Sequence, residues 1–198
     1  MEPNNEKKRF VGRPRSESSK LAILNSVKDL LETKGFTNLT IEGIAKEAGV
    51  SKATIYRWWK NKEMILLSLF LEVSQSKFEF DPDQSVVENL RQQMQELSHI
   101  LDSTIGRALL LIIIENESIS KEFHLHFLHP RRLEAKRILS VGIEKGLLQP
   151  NINMDIVLDL LFGPIYFKLM VYKESIDTNF INELIDQAMK GIIIHSSN

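Results

Sequence analysis

Apolar residues recur at three- and four-residue spacing from Ile23 to Ile192, and alternation with period two never persists. That spacing stacks apolar side chains on one face of a helix, so a core built from this chain has to come from helices packed on helices. Only nine glycines and six prolines interrupt the pattern. The expected fold is all-α, with about nine helices.

Punctuating residues divide the pattern. Ser16 stands where it can cap a helix over 17–34, whose buried stripe is Ile23, Leu24, Val27, Leu30 and Leu31 and whose stop is Gly35. Thr40 caps a second helix that ends at Gly49, a residue suited to a left-handed backbone. Ser51 caps a third, from Lys52 to about Trp59, and a fourth is expected from Glu63 to about Phe78. Phe80-Asp81-Pro82-Asp83 reads as a linker. Five more helices are expected over 84–102, 104–116, about 120–146 with Pro130 kinking or restarting it, 154–173 and 178–195. The chain thus divides into a basic arm (1–16), a head (17–80) whose first three helices include a helix-turn-helix over about 40–59, and a helical body (81–198).

Composition excludes several kinds of chemistry. With 198 residues and no cysteine, the chain has length for a sizeable core but no thiolate ligand, disulfide or cysteine nucleophile. It contains no Gly-rich phosphate loop and no nucleophile motif, so no catalytic residues are assigned and no enzyme is expected. His124, His126 and His129 invite a metal site. On an α-helix, however, positions 124 and 126 diverge by about 200°, so only 126 and 129 could share a face. Neither a metal nor a cofactor is expected. No run of 18 apolar residues exists, and Met1-Glu2-Pro3-Asn4-Asn5 is polar, so the expectation is no membrane and a cytoplasmic address.

The net charge of −1 conceals an asymmetry. Residues 1–62 carry 13 Lys and Arg against 7 Asp and Glu, while residues 63–198 carry 12 against 19. A basic head on an acidic body suggests a polyanion-binding module attached to something else. Within the head, Ala48-Gly49-Val50-Ser51 supplies a sharp turn between two short helices. At 100° per residue along the third helix, Ile55 and Trp59 turn to one side, and Lys52, Ala53, Tyr56 and Arg57 to the other. The first pair anchors the helix. The second set offers cations, a small residue and a hydroxyl to phosphates and base edges in a major groove. Lys62, beside the start of the fourth helix, is placed to hold a further phosphate.

The run from Thr40 to Glu63, with Thr40, Ile44-Ala45, Ala48-Gly49-Val50-Ser51, Thr54, Tyr56 and Asn61-Lys62-Glu63 at their positions, resembles the DNA-binding signature of the tetracycline-repressor (TetR) family. The likeness covers about residues 17–77. It implies a dimeric, all-helical repressor that binds double-stranded DNA at a palindromic operator. Carried over by position, the implied DNA contacts are Thr40, Ser51, Lys52, Ala53, Thr54 and Tyr56, with Arg57, Trp58 and Lys62 beyond them. Many members have histidine or tyrosine where this chain has Trp58. In the arm, Gly12-Arg13-Pro14-Arg15 is similar to an AT-hook core, which would bring Arg13 and Arg15 into a minor groove or, failing that, onto phosphates in general.

In the body the resemblance narrows to Leu160–Met170 of the penultimate helix. It implies that the last two helices pair with their mates in a homodimer. The expected interface is Ile165 and Leu169 with Phe180, Ile181, Leu184, Ile185, Ala188 and Ile192. A possible small-molecule effector would lie against inward faces: Met94, Leu97, Leu101 and Leu110 from the earlier helices, Phe123 and Phe127 from the middle, and Phe162, Tyr166 and Met170 from the penultimate one. Aromatic and methionine side chains would suit a largely apolar ligand. Helix 4 is expected to be the only element shared by head and body. The alternative is a DNA-binding regulator with no small-molecule effector, controlled by a protein partner or by abundance.

Overall fold

A computed structural model of the chain describes residues 16–75 and 80–193. Arg13 and Arg15 lie outside the described residues. The helices are α1 (Glu17–Lys34), α2 (Ile41–Glu47), α3 (Lys52–Tyr56), α4 (Lys62–Val73), α5 (Val86–Asp102), α6 (Thr104–Ile113), α7 (Glu117–Phe123), α8 (His129–Glu144), α9 (Met154–Phe167) and α10 (Thr178–Lys190). A π-helical turn, His124–Leu128, joins α7 to α8 without a break, and another, Lys168–Tyr172, extends α9. The described residues therefore trace nine continuous helical rods. Their extended pairing amounts to one bridge, Leu148 with Ile193.

Local chemistry explains the boundaries. The Thr40 and Ser51 side chains accept from the backbone N–H groups of Gly43 and Thr54, as capping residues should. Ser16 does not cap in this way; its hydroxyl pairs with Ser18 at 2.7 Å. The fourth helix starts one residue earlier than expected because Asn61 is its cap, accepting from Met64 N at 3.0 Å. Pro130 falls in the first turn of α8, where its missing N–H matters least. The wider turn before it lets His129 N reach back five residues to His124 O, so the proline neither breaks the rod nor restarts it. This turn also revises the histidine geometry: the His124 and His129 rings lie 5.9 Å apart, while His126 pairs with Glu122 at 3.1 Å.

One apolar core runs through head and body. In the head it holds Ile23, Leu24, Val27, Ile44 and Ile55 with Ile65 and Phe70. The helix α4 packs on α1 on one side and on α6 and α7 on the other. Because α1 also packs on α6, helix 4 is not the only shared element, contrary to the sequence expectation.

Half of the expected dimer face is consumed within the protomer. Ile165, Leu169, Ile181 and Ile185 are buried within the protomer, and Phe180, Leu184, Ala188 and Ile192 are half-buried against the same core. The reason is that α10 packs on α5 and α9, with Arg91 of α5 bonded to Asn182 and Asp186. The exposed apolar stripe lies on the opposite side of the penultimate rod: Ile156, Leu160, Phe167 and Val171, each at least half exposed.

Candidate nucleic-acid interface

The turn between α2 and α3 is built on Gly49. It adopts φ +63°, and the N–H groups of Gly49 and Val50 close back on Lys46 O and Ala45 O at 3.3 and 3.0 Å. This pair of bonds is the Schellman arrangement, which satisfies two terminal carbonyls and needs a residue free of a Cβ penalty at its left-handed position. The turn sets α3 across α2, with Ile55 fully buried beneath it. Trp59 is buried as well, its indole donating to Ser68 Oγ at 2.7 Å. The third helix closes at Tyr56, earlier than expected, and the chain turns on through Trp58 N to Ile55 O at 2.9 Å.

On the outer side, Ser51, Lys52, Ala53, Tyr56 and Arg57 are exposed, and Tyr56 keeps 55% of its surface. Thr54 is half-buried and shares a 3.0 Å hydroxyl contact with Ser51. Thr40 is exposed at the head of α2. These residues lie on neighbouring helix starts, where backbone N–H groups and side-chain hydroxyls suit phosphate oxygens.

Two cations have partners that the sequence did not indicate. Lys52 Nζ lies 2.7 Å from Glu42 Oε1, both side chains being more than half exposed. The hydrogen bond from Lys52 keeps the Glu42 carboxyl below its usual range, and Glu42 in turn holds the Lys52 ammonium above its own. Lys62 donates to Leu39 O at 2.9 Å and to Phe36 O at 3.4 Å, with its ammonium 4.6 Å from the Phe36 ring centroid. It pins the α1–α2 loop to the start of α4, so the lysine expected to hold a phosphate also has a positioning role. Trp58 is half-buried, 5.9 Å from Trp59, and Lys20 of α1 stands over its ring at 5.9 Å. Sequence spacing contains no hint of Lys20, because α1 reaches Trp58 only through the tertiary packing.

In the body, Met94, Leu97, Leu101, Leu110, Phe123, Phe127 and Phe162 are all buried, and Tyr166 and Met170 are half-buried. Phe123 and Phe127 close on Phe70 of α4 with ring centroids 5.8 and 4.7 Å away. Two surface clefts lie elsewhere. The larger, about 510 Å³, is bordered by His124, His129, Arg132, Lys136, Asp155 and Asp159, and the smaller, about 240 Å³, by Phe167, Lys168, Tyr172 and Phe180. The cations of the larger cleft are paired, Arg132 with Asp159 at 2.7 Å and Lys136 with Asp155 at 2.7 Å. No group of three potential metal ligands occurs among the described residues, and none of their helices is long and apolar enough to cross a membrane.

Residues 23–69 match the family model described as bacterial regulatory proteins, tetR family, and residues 81–188 match the tetracyclin repressor-like C-terminal domain. The chain is 35% identical to the uncharacterized HTH-type transcriptional regulator YdeS of Bacillus subtilis over 184 residues, 91% of this chain and 93% of that one. Among solved structures, a TetR transcriptional regulator from Agrobacterium tumefaciens superposes with a TM-score of 0.71 at 17% identity, over 89% of this chain and 94% of that one. FadR from Bacillus subtilis, in complex with stearoyl-CoA, gives 0.70 at 22% identity, over 88% and 99%.

Proposed function

This chain belongs to the tetR family of bacterial regulatory proteins, and from that premise we propose that it is a homodimeric repressor that grips a palindromic operator and releases it when a small, largely apolar ligand enters the body. The observation that carries the reading is the outer face of α3. Lys52, Ala53, Tyr56 and Arg57 stand together in solvent on a helix held from behind by Ile55 and Trp59. A rigid helix with a polar, cationic face is what a major groove admits.

A palindrome needs two heads, and the α9 stripe supports the pairing. Ile156, Leu160, Phe167 and Val171 form an apolar line with Gly163 at its middle, where no neighbouring atom lies within 4 Å of a would-be Cβ. Among the described residues nothing uses that space, and a crossing helix from a second copy could approach closely there. The working place of such a dimer is the cytoplasm, beside the chromosome.

That the Bacillus subtilis neighbour was solved in complex with stearoyl-CoA supports a small-molecule ligand for this chain. Against it, the tight contacts of Phe70, Phe123 and Phe127 favour a regulator without an effector. Unsatisfied polar groups buried close by restore the balance toward a ligand.

Selection of DNA fragments from a random pool by the intact protein tests the reading. The expected product is an inverted repeat whose half-sites face one side of the duplex, roughly 34–36 Å or somewhat more apart. Lys52→Ala should then alter the preferred bases, and Tyr56→Phe should weaken all sequences alike. Failure to enrich any sequence removes the DNA-binding proposal, and enrichment of a single unrepeated site removes the dimer.

A further inference from the structure

Among the described residues, three side-chain atoms of the body are buried with no hydrogen-bond partner: Gln93 Oε1, Glu96 Oε1 and the Tyr166 hydroxyl. Gln93 and Glu96 stand one turn apart on α5, and Tyr166 comes from α9, which packs against it. Gln93 is 2% exposed and spends only its amide N–H, on Arg131 O at 3.0 Å. The Arg131 side chain lies within electrostatic range of both Glu96 and Tyr166, and burial of the Tyr166 phenol raises its pKa. Each orphaned group lowers the stability of the fold, so three in one neighbourhood ask for a use beyond packing.

Arg131 links this neighbourhood to the head. Its guanidinium lies 3.8 Å from the Phe127 ring centroid and donates to Phe127 O at 3.3 Å and to Ser74 O at 3.0 Å. Ser74 is the last residue of the α4 cap, and Phe127 meets Phe70 of α4 edge-on at 4.7 Å. At its other end, α4 begins with Lys62, which holds the α1–α2 loop.

We propose that Gln93, Glu96 and Tyr166 recognise the effector, that the effector is an uncharged molecule presenting N–H or O–H donors on an apolar body, and that Arg131 conveys its arrival to α4. This rests on the reading of the chain as a ligand-released repressor. The chemistry follows from the orphans. Two of them are acceptors only, and the phenol can accept or donate, so the missing partner is a donor. The Glu96 carboxylate lies within electrostatic range of the Arg131 cation, and a charged ligand would upset that balance of charge in a buried place. Buried Met94, Leu97 and Phe162 on the same two helices supply the apolar wall. A donor bound at Glu96 weakens the attraction of its carboxylate for Arg131. The guanidinium then shifts, and its bond to Ser74 O at the end of α4 is lost.

The test uses the full-length protein and an operator fragment selected by it. Tyr166→Phe removes an orphaned hydroxyl and no made hydrogen bond, so it should raise the melting temperature by about 2–4 °C. A fall would mean that the hydroxyl is satisfied and structural, and would overturn the proposal. Benzamide, phenol and benzyl alcohol at millimolar concentration should each raise the wild-type melting temperature by about 2 °C and weaken operator binding. N,N-dimethylbenzamide, anisole and benzoate should do neither, and Tyr166→Phe should blunt the response to the donors. Equal responses to donors and their methylated counterparts, or none to either while the operator is bound normally, overturn the donor site. Absence of operator binding by the wild type removes the repressor reading instead.

Discussion

Lys52 meets Glu42 across the α2–α3 turn, and that contact changes what the lysine is available to do. A carboxylate on the outer face both occupies the ammonium and repels phosphate. Glu42→Gln should therefore tighten binding to every DNA sequence by roughly three- to tenfold and steepen the log–log salt slope by up to about 0.9, the share of one phosphate. Titrations from low to physiological salt would measure both. A weaker complex would mean that Glu42 instead holds Lys52 in its base-reading position. The lysine itself was legible in the sequence because it follows Ser51 in a recognised pattern. Its partner was not, since opposite charges ten residues apart meet only when the turn has the angle that Gly49 permits. Lys62 teaches the same lesson: its position was readable, whereas its bonds to Leu39 O and Phe36 O depend on where the α1–α2 loop lands.

Between elements, the tightest demand falls at the α5–α6 junction. A Cβ at Gly106 would lie 2.6 Å from Leu101 O and also against Ile100 O. Both are backbone atoms of the preceding helix and cannot rotate away. Gly106→Ala should accordingly lose about 2–4 kcal/mol, far outside the usual gain from replacing a helical glycine. Urea unfolding would show it as a lower midpoint at unchanged slope. A neutral substitution would mean that the junction can open without strain. Periodicity made the helices readable here, and the structure adds that Ser103 caps α6. Periodicity did not reveal the close approach, which depends on the angle between two rods. The π-helical turn before Pro130 is a comparable case: the proline signalled a disturbance, and only the packed rod showed that the backbone absorbs it by widening.

For the molecule as a whole, the proposed dimer rests on the exposed α9 stripe. Leu160→Glu should convert the proposed dimer to a monomer in light scattering at micromolar concentration, leaving the helical content unchanged. Withdrawing a leucine side chain from water contributes about 1.5–3 kcal/mol, and a glutamate in its place would bury a charge. Because two linked heads engage one operator at high effective concentration, affinity should fall by about 10²- to 10⁴-fold. A variant that remained dimeric would place the interface elsewhere.

By itself the sequence determined the helical class, most helix starts, the reading head and its outward residues. All of these follow from local rules: period, caps, and a glycine where the backbone turns left-handed. The tertiary structure decided which apolar faces are consumed inside the protomer. Leu160 and Ile165 share one helix and one composition, yet Ile165 is fully buried and Leu160 is 58% exposed, because α9 can press only one side against its neighbours. It also decided that one polar atom each of Gln93, Glu96 and Tyr166 is buried and unmet, since that burial depends on α5, α8 and α9 closing around positions far apart in the chain. Period and capping act over a few residues, whereas burial is a property of the whole packed set.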